Sequence, residues 1–227
     1  MKKILFWQTS DWFNFNLAYS LQNAEYEIYA IIDTVKKPKQ FFLNQKLVNY
    51  KKIWFYHDQI KKDYAYDEKY LIEFEEKYNI DLWLLAYNDR IFFNFNNFFR
   101  FTKELVLGII EQECKFFESV LDEINPDFLV ISLTWQHQGE LLRKICKARG
   151  IKILMINPSS VGGSSPKYLI SEEFGEIDYE KELPYVKNNT TFLDLEKKIE
   201  ELGINKNVIK FKENVLKHST FSRLKAG

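Results

Sequence analysis

The chain has 227 residues, 46% of them hydrophobic and 17% aromatic, which excludes a disordered composition and supplies ample material for a core. Its 32 basic and 32 acidic side chains cancel, so the overall charge does not favour nucleic acid or an anionic membrane surface as a partner. No run approaches the roughly 20 apolar residues that a membrane-spanning helix needs, and the apolar run Ile4–Trp7 is too short for a signal peptide. We therefore expect a cytoplasmic protein without a transmembrane segment, for which peripheral membrane association through a partner stays open.

The N-terminal segment predicts a strand, a helix and a second strand. Apolar runs at Ile4–Trp7 and Tyr26–Asp33 are typical of buried strands, and Phe15–Gln22 carries apolar residues at helical spacing. Either Asn14 or Asp11 can cap this helix. The segment has no GxGxxG motif, and the whole chain holds only eight glycines, so we expect no nicotinamide or flavin dinucleotide cofactor.

The middle of the chain alternates further strand and helix patterns. Ile53–Tyr56 is a third candidate strand, and Asp67–Tyr78 is an amphipathic helix. Asp81–Ala86 predicts either a fourth strand or an extended core segment. The aromatic, asparagine-rich stretch Phe92–Phe101 predicts a loop whose phenylalanines fill a gap in the core, the alternative being a surface for stacking sugars or bases. Glu104–Ile124 is the longest predicted helix, because its apolar pairs recur with a period close to 3.6.

The most informative stretch is Pro126–Ile156, which predicts a complete βαβ unit. Phe128–Leu133 and Lys152–Ile156 are apolar strand patterns, and Gly139–Arg149 between them is helical. Gly150 occupies the position of a C-cap glycine. Two strands joined by one short crossover helix are parallel neighbours. The predicted fold class is therefore α/β, with an open parallel sheet flanked by helices.

The last part of the chain differs from the rest in composition and in hydrophobic periodicity. Residues 167–190 are acidic and lack strong periodicity, whereas Leu193–Leu202 and Asn207–His218 predict helices. We expect an α/β domain at residues 1–165. Residues 166–227 would form an acidic, helical C-terminal extension, or a linker to a missing domain.

The cysteines and the remaining motifs give no sign of metal binding. Cys114 and Cys146 lie on apolar helical stripes, which predicts reduced, unpaired cysteines in the core. The sequence has no CxxC pair, no HExxH motif and no carboxylate-rich run, so we expect no metal site.

Three segments, DLWLLAYNDR, EQECKFFESVLDEINPD and WQHQGELLRKICKARGIKIL, follow the first strand and its polar loop. Together they resemble the N-terminal half of surface and capsular polysaccharide biosynthesis proteins, a glycosyltransferase-like family of the GT-B type with two Rossmann domains. The resemblance covers residues 1–165 and rests on element order and local texture. It implies a Rossmann-like open parallel sheet of the GT-B N-terminal-domain type, followed by the helical C-terminal extension.

The resemblance also implies different roles for the two domains of the enzyme. In GT-B enzymes the N-terminal domain mainly shapes the acceptor site, and the C-terminal domain mainly binds the nucleotide-sugar donor. A chain of 227 residues leaves no room for a second Rossmann domain, so the donor domain would be missing, lie in a partner chain or be dispensed with. The expected function is the acceptor side of glycosyl transfer in cytoplasmic surface or capsular polysaccharide synthesis, on a carbohydrate or lipid-linked glycan. The alternatives are a sugar-nucleotide epimerase-like domain and a non-catalytic Rossmann-like module that binds a partner or small metabolite.

Open α/β sheets bind ligands beyond the carboxyl ends of their strands, which directs attention to the loops there. His137 follows the strongest strand and is the candidate general base, the alternative being an exposed loop histidine that merely precedes a helix. Asp11 follows the first strand and can act as a base, orient a sugar hydroxyl or cap the helix. His57, after the third strand, is a further candidate.

The candidate substrate-binding residues are polar side chains and glycines in the same loops. Those after the first strand can cap a helix instead, and the adjacent aspartate and arginine suit either sugar and phosphate recognition or a structural ion pair. The serine- and glycine-rich loop can approach a phosphate or serve as an interdomain linker. The candidates are Gln8, Thr9, Ser10, Asp89, Arg90, Trp135, Gln138, Asn157, Ser159, Ser160, Gly162 and Gly163.

Overall fold

A computed structural model describes residues 1–10, 12–22, 26–61, 65–93, 99–134, 136–159 and 167–171, without the side chains of 157–159 and 167–169. These residues form strands β1 (Lys2–Gln8), β2 (Tyr26–Ile32), β3 (Lys52–Phe55), β4 (Phe128–Ser132), β5 (Lys152–Ser159) and β6 (Lys167–Ser171). They also form helices α1 (Trp12–Leu21), α2 (Lys36–Asn44), α3 (Glu68–Tyr78), α4 (Leu82–Tyr87), α5 (Arg90–Phe93), α6 (Lys103–Ile124) and α7 (His137–Ala148).

The six strands form one sheet in the order β3-β2-β1-β4-β5-β6. The β3-β2, β2-β1, β1-β4 and β4-β5 pairs are all parallel. Phe128 pairs with Lys152, which confirms the prediction that the two strands of the βαβ unit are parallel neighbours. The predicted α/β class with a parallel sheet flanked by helices is confirmed, and the strand order is the one found in Rossmann-like folds.

Helices cover both faces of the sheet because the inner strands are apolar on both sides. On β1, Ile4 and Phe6 pack in a cluster with the buried residues of α1 and α2, whereas Leu5 and Trp7 pack in a second cluster with α3, α4, α6 and α7. Phe6 is completely buried, and a side chain of this size stabilises the fold by about 1.5–3 kcal/mol. Such two-sided burial explains why the strand sequence is a continuous apolar run rather than an alternating one.

The segment predicted as a fourth strand, Asp81–Ala86, is instead helix α4, so that prediction is wrong. Asp81 is the N-cap, and its Oδ1 accepts a hydrogen bond of 2.6 Å from the backbone N–H of Leu84. The segment is rich in leucine and contains no β-branched residue, which favours a helix once the cap is made. The length of the segment is also that of a strand, so its composition and its cap, rather than its periodicity, favour the helix.

Two further differences concern short helices. α2 was not predicted from the sequence, and α5 occupies the start of the stretch predicted as the aromatic loop Phe92–Phe101. Phe92 is buried, as expected for a phenylalanine that fills the core, but Phe99 is exposed. Asn14 lies inside α1 rather than at its N-cap, because the helix begins earlier than predicted.

Two predictions about the βαβ unit and the cysteines are confirmed. Gly150 follows the C-cap of α7 with φ +72°, a conformation in which a side chain would be strained. Cys114 and Cys146 are both buried and unpaired. Burial raises the pKa of the Cys146 thiol to about 12, so it is held as an inert thiol.

By internal contacts the chain divides into one unit of Met1–Asn157 with Leu169–Glu176, and another of Pro158–Tyr168 with Ile177–Gly227. β6 joins the sheet although it begins after residue 165. The predicted extension at 166–227, with its helices at Leu193–Leu202 and Asn207–His218, lies outside the described residues apart from 167–171, and stays a prediction. Within the described ranges, no helix is both long and apolar enough to cross a bilayer.

Candidate functional site at the carboxyl edge of the sheet

The strand order reverses between β1 and β4, because β2 and β3 extend the sheet on one side and β5 and β6 on the other. The loops after β1 and β4 therefore diverge and leave a crevice, the usual ligand site of open α/β sheets. Asn14, which is fully buried in α1, ties the two strand ends together. Its Nδ2 donates to the Trp7 carbonyl oxygen at 3.1 Å and to Ser132 Oγ at 3.0 Å.

A cavity of about 80 Å³, here called the switch-point cavity, opens between these strand ends. Its polar lining comes from both loops and from the end of β2, and its apolar walls include Trp7 and Ile131. The loops after β1 and β4 thus contribute side chains to one cavity. The polar lining residues are Thr9, Asp33, Ser132, Thr134, Gln136 and Gln138.

Gln138 is the lining residue with an unmet hydrogen-bonding group. It is only 5% exposed, and its Nε2 donates to Gln136 Oε1 at 2.8 Å and lies 3.5 Å from Asp33 Oδ2. Its Oε1 is buried and has no hydrogen-bond partner among the described residues. A buried acceptor without a partner costs about 1–3 kcal/mol, so this oxygen is available to a hydrogen-bond donor that enters the cavity.

A second cavity of about 210 Å³, here called the α7 cavity, lies on the other side of the same loop. It shares Thr134 and Gln136 with the switch-point cavity and adds Asp89, Glu140 and Lys144. Glu140 is held by two hydrogen bonds from the guanidinium of the buried Arg143 (2.7 and 2.8 Å) and by one from Thr134 Oγ1 (2.9 Å). Burial alone would raise the pKa of Glu140, but these bonds outweigh it and hold the pKa below its usual range.

His137 is buried in the first turn of α7, so the alternative of an exposed loop histidine that precedes the helix is wrong. Its Nδ1 lies 2.8 Å from Asp89 Oδ2, and its Nε2 lies 2.9 Å from Glu113 Oε1. The backbone N–H of His137 donates to Asp89 at 2.7 Å, and the ring of Phe92 packs against the imidazole at 4.5 Å between centroids. The imidazole is therefore enclosed on both nitrogen edges and on one face.

These two carboxylates decide the charge of the ring. Burial alone would lower the pKa of His137, but Glu113 and Asp89 outweigh it by charge and hydrogen bonding and raise the pKa to about 10. The same bonds from His137 hold the pKa of Asp89 below its usual value, although burial works in the other direction. At neutral pH the ring is an imidazolium whose two N–H groups are both donated. This geometry argues against the predicted role of His137 as general base, because a charged imidazole has no lone pair for a proton.

The sequence-based reasoning missed Glu113, the central acceptor of this network. Its side chain on α6 also accepts a short hydrogen bond from the hydroxyl of Tyr56, and it is fully buried. The sequence does contain a signal for this residue, because Glu113 lies three residues after Ile110 and four before Phe117, on the apolar stripe of the helix. A charged residue on such a stripe indicates a buried partner of opposite charge.

A different histidine, His57, lies beside Asp33, a residue that lines the switch-point cavity. Asp33 follows β2 and lines the cavity, and its Oδ1 lies 2.9 Å from Nε2 of His57 in the 3₁₀ turn after β3. The Asp33 side chain is 9% exposed, whereas that of His57 is 45% exposed. The pair thus combines an enclosed carboxylate with an accessible imidazole.

The other predicted residues are dispersed. Gln8 is fully buried and donates from Nε2 to the Thr9 carbonyl oxygen at 2.8 Å, and Arg90 is exposed. Ser10 is exposed and lines, with Thr9, a separate apolar cavity of about 160 Å³ beside Trp12. Five predicted residues lie outside the described residues, and two more are described only as backbone of β5. The first group is Asp11, Trp135, Ser160, Gly162 and Gly163, and the second is Asn157 and Ser159.

Within the described part of the chain, no group of three or more His, Cys, Asp or Glu side chains is placed to hold a metal ion. Comparison of the sequence with protein-family models, with curated proteins and with solved structures finds no match. The assignment of a function therefore rests on the site itself.

Proposed function

We propose that this chain is the N-terminal, acceptor-side domain of a GT-B-type glycosyltransferase, and that it binds the acceptor of a surface or capsular polysaccharide in the cytoplasm. The observation that carries the proposal is the switch-point cavity between β1 and β4, with its polar lining over apolar walls. Hydroxyl and amide groups beside an aromatic or aliphatic wall suit the alternating polar and apolar faces of a sugar ring. The proposed acceptor substrate is a carbohydrate or lipid-linked glycan.

The size of the site supports a small occupant. The switch-point and α7 cavities have volumes of about 80 and 210 Å³, below the roughly 300–1,000 Å³ of most small-molecule sites. One or two sugar units fit this scale better than a complete nucleotide sugar. The loop after β1 also lacks the glycines with which dinucleotide-binding folds approach a pyrophosphate. The proposal therefore assigns the nucleotide-sugar donor to another domain or chain.

Ligand-observed NMR on the purified chain tests the proposal. Saturation-transfer spectra would be recorded with glucose, galactose, N-acetylglucosamine, UDP-glucose and oligosaccharides released from the surface glycan of the source cells. We expect transfer to at least one saccharide and weak or no binding of UDP-glucose. Thr9→Val, which removes a hydroxyl from the cavity lining, should weaken the signal.

Thr34→Val is the matched control, because the Thr34 hydroxyl is buried without a partner among the described residues and is absent from the lining of the described cavities. It should leave saccharide binding unchanged. Tight, stoichiometric binding of UDP-glucose in calorimetry would show that the chain carries a donor site and would contradict an acceptor-only domain. Absence of transfer to every saccharide, including the cells' own glycan fragments, would contradict the proposal altogether.

A second candidate is a non-catalytic Rossmann-like module, favoured by one observation. His137, the histidine expected to act as base, is locked between Asp89 and Glu113 as a buried ion. If no other base served the site, the chain would bind its ligand without transforming it. The same NMR series would then detect a small metabolite or saccharide, and the chain would support no transfer when combined with its cellular partners.

A further inference from the structure

A third cavity, here called the Trp12 cavity, lies between the start of α1 and helix α2, and the proposed function gives it no role. It has a volume of about 160 Å³. Its walls are almost entirely apolar, and it lacks amide, carboxylate and ammonium side chains among the described residues that line it. These residues are Thr9, Ser10, Trp12, Pro38, Phe41 and Phe42. Such a lining suits an apolar group of a ligand rather than a sugar ring.

Trp12 forms an exposed wall of this cavity. It is 59% exposed, although tryptophan is a largely buried residue on average. Its ring lies edge-on to Phe41 at 5.0 Å and to Phe15 at 5.8 Å between centroids, so two aromatic neighbours hold the indole in one orientation. Phe41 is half-buried and Phe42 is buried. The cavity therefore combines a fixed aromatic floor with an indole that gains apolar burial when a ligand covers it.

Helix α2 adds positive charge beside the aromatic wall. Lys37 lies one helical turn before Phe41, and residues four apart on a helix are neighbours on its surface. Lys37 is exposed and has no ion-pair partner among the described residues. Lys39, by contrast, is paired with Asp58 at 2.6 Å. The helix face that carries Phe41 thus offers a cation to a negatively charged group.

A larger apolar groove elsewhere on the molecule differs from the Trp12 cavity in charge. It has a volume of about 470 Å³, and Trp83 lines it together with apolar residues of α3, α4 and α6. Glu68 and Glu75 also line this groove, against the single basic residue Lys103 among the described lining residues. Trp83 is 43% exposed. The groove therefore presents a comparable aromatic surface in an acidic setting, which makes Trp83 an internal control for Trp12.

We propose that the Trp12 cavity binds the alkyl chain of an anionic amphiphile, with the chain against Trp12 and Phe41 and the head group beside Lys37. A volume of about 160 Å³ is too small for a whole lipid, so the cavity takes the part of the chain next to the head group. Burial of each methylene group strengthens binding about fourfold, and one exposed ion pair adds less. The apolar chain thus supplies most of the affinity, and the charge of the head group selects this cavity.

Fluorine NMR on the full chain, labelled with 5-fluorotryptophan, tests the proposal. The chain has five tryptophans, and the Trp12 and Trp83 resonances are identified by their absence from the spectra of Trp12→Phe and Trp83→Phe. Octyl phosphate, added below its micelle concentration, should shift the Trp12 resonance in a saturable manner and leave the Trp83 resonance unchanged. Octanoate is the second probe and distinguishes a carboxylate head group from a phosphate. Inorganic phosphate, which has no chain, should shift neither resonance.

Further comparisons measure the contributions of the chain and of the head group separately. Butyl phosphate should bind about tenfold or more weakly than octyl phosphate, because fewer methylene groups are buried. Octyltrimethylammonium, which has the same chain and a positive head group, should bind about threefold or more weakly. Lys37→Glu should weaken the binding of octyl phosphate by a similar factor. Lys46→Glu is the matched control, because it reverses the charge of an exposed lysine beyond the other end of α2, and it should leave binding unchanged.

Three results would each overturn the proposal. Equal shifts of the Trp12 and Trp83 resonances would mean that the chain adsorbs to any exposed apolar surface. Absence of a Trp12 shift with both octyl phosphate and octanoate would leave the cavity without its ligand. Binding of octyltrimethylammonium as tight as that of octyl phosphate would show that the head group is not recognised, and this comparison decides on the wild-type chain even if Lys37→Glu fails to fold. Saccharide binding to the switch-point cavity enters none of these results, so the inference and the proposed function fail independently.

Discussion

His137 and His57 both lie within 3 Å of carboxylate oxygens, yet the first is enclosed and the second is partly exposed. His137 lies between Asp89 and Glu113 and is 6% exposed, whereas His57 has the single carboxylate of Asp33 at 2.9 Å and a side chain that is 45% exposed. Two carboxylates in a buried setting stabilise the charged form of the ring, and a single carboxylate beside a half-exposed ring has a weaker effect because solvent screens it. The comparison shows that the number of facing carboxylates and the burial, rather than the residue type, separate a buried, charged histidine from a partly exposed one.

The largest expected effect tests the structural half of this comparison. His137→Ala leaves the buried Asp89 and Glu113 without their shared cation, and breaking a buried pair in this way costs about 3–5 kcal/mol. Chemical denaturation should show a lower midpoint with an unchanged slope. His57→Ala is the matched control and should change the free energy of unfolding by no more than about 0.5 kcal/mol. Equal, small losses in both variants would mean that His137 is not a buried ion.

The next effect concerns the second hydrogen-bond donor to Glu113, which is the hydroxyl of Tyr56. Tyr56→Phe removes the hydroxyl that donates to Glu113 and leaves the rings of Trp7 and Phe117 in contact with the new phenyl ring. Loss of a buried hydrogen bond to a charged group should cost about 1.5–3 kcal/mol.

The chain offers an internal control for this substitution. The hydroxyl of Tyr50 is buried and has no partner among the described residues, so Tyr50→Phe should be neutral or stabilising. The difference between the two Tyr→Phe variants in urea denaturation isolates the hydrogen bond from the loss of the oxygen itself. If Tyr50→Phe proved as costly as Tyr56→Phe, the bond to Glu113 would contribute nothing specific.

The pH dependence of stability sharpens the comparison further. The folded pKa of His137 is raised to about 10 from the ordinary 6.5, so its contribution is fully present below pH 6.5 and is lost as the pH rises through 10. Within this window the free energy of unfolding should fall by up to about 1.4 kcal/mol per pH unit from this group. The difference between wild type and His137→Ala should shrink between pH 7 and pH 10. A difference that stayed constant over this range would contradict the raised pKa.

The smallest expected change in stability comes from a substitution in the lining of the switch-point cavity. Gln138→Met removes the unpartnered Oε1 and the bond to Gln136 while keeping the side-chain volume, so stability should change by no more than about 1 kcal/mol. Saccharide binding in the NMR assay should nevertheless be lost. Gln40→Met, on the exposed surface of α2, is the control and should preserve binding. Retained binding in Gln138→Met would remove this oxygen from the site.

The sequence predicts best those features of the fold that depend on short-range patterns. Helix α6, the βαβ unit from Phe128 to Ile156, and the convergence of the loops after β1 and β4 all follow from apolar periodicity and the rules of parallel sheets. The error at α4 arose because a six-residue apolar segment has no period long enough to separate helix from strand. The N-cap hydrogen bond of Asp81 favours the helix, and this bond depends on a backbone geometry that the sequence does not show.

The candidate site depended on distances that the chain order does not contain. The partners of His137 lie 48 and 24 residues away, and Asp33 lies 24 residues from His57. The sequence by itself determined the fold class and the edge of the sheet at which polar groups collect, since both depend on short-range periodicity. Only the tertiary structure decided which histidine is enclosed between two carboxylates and which is partly exposed beside one. That distinction depends on burial and on the number of facing carboxylates, and both arise from packing between elements distant in the chain.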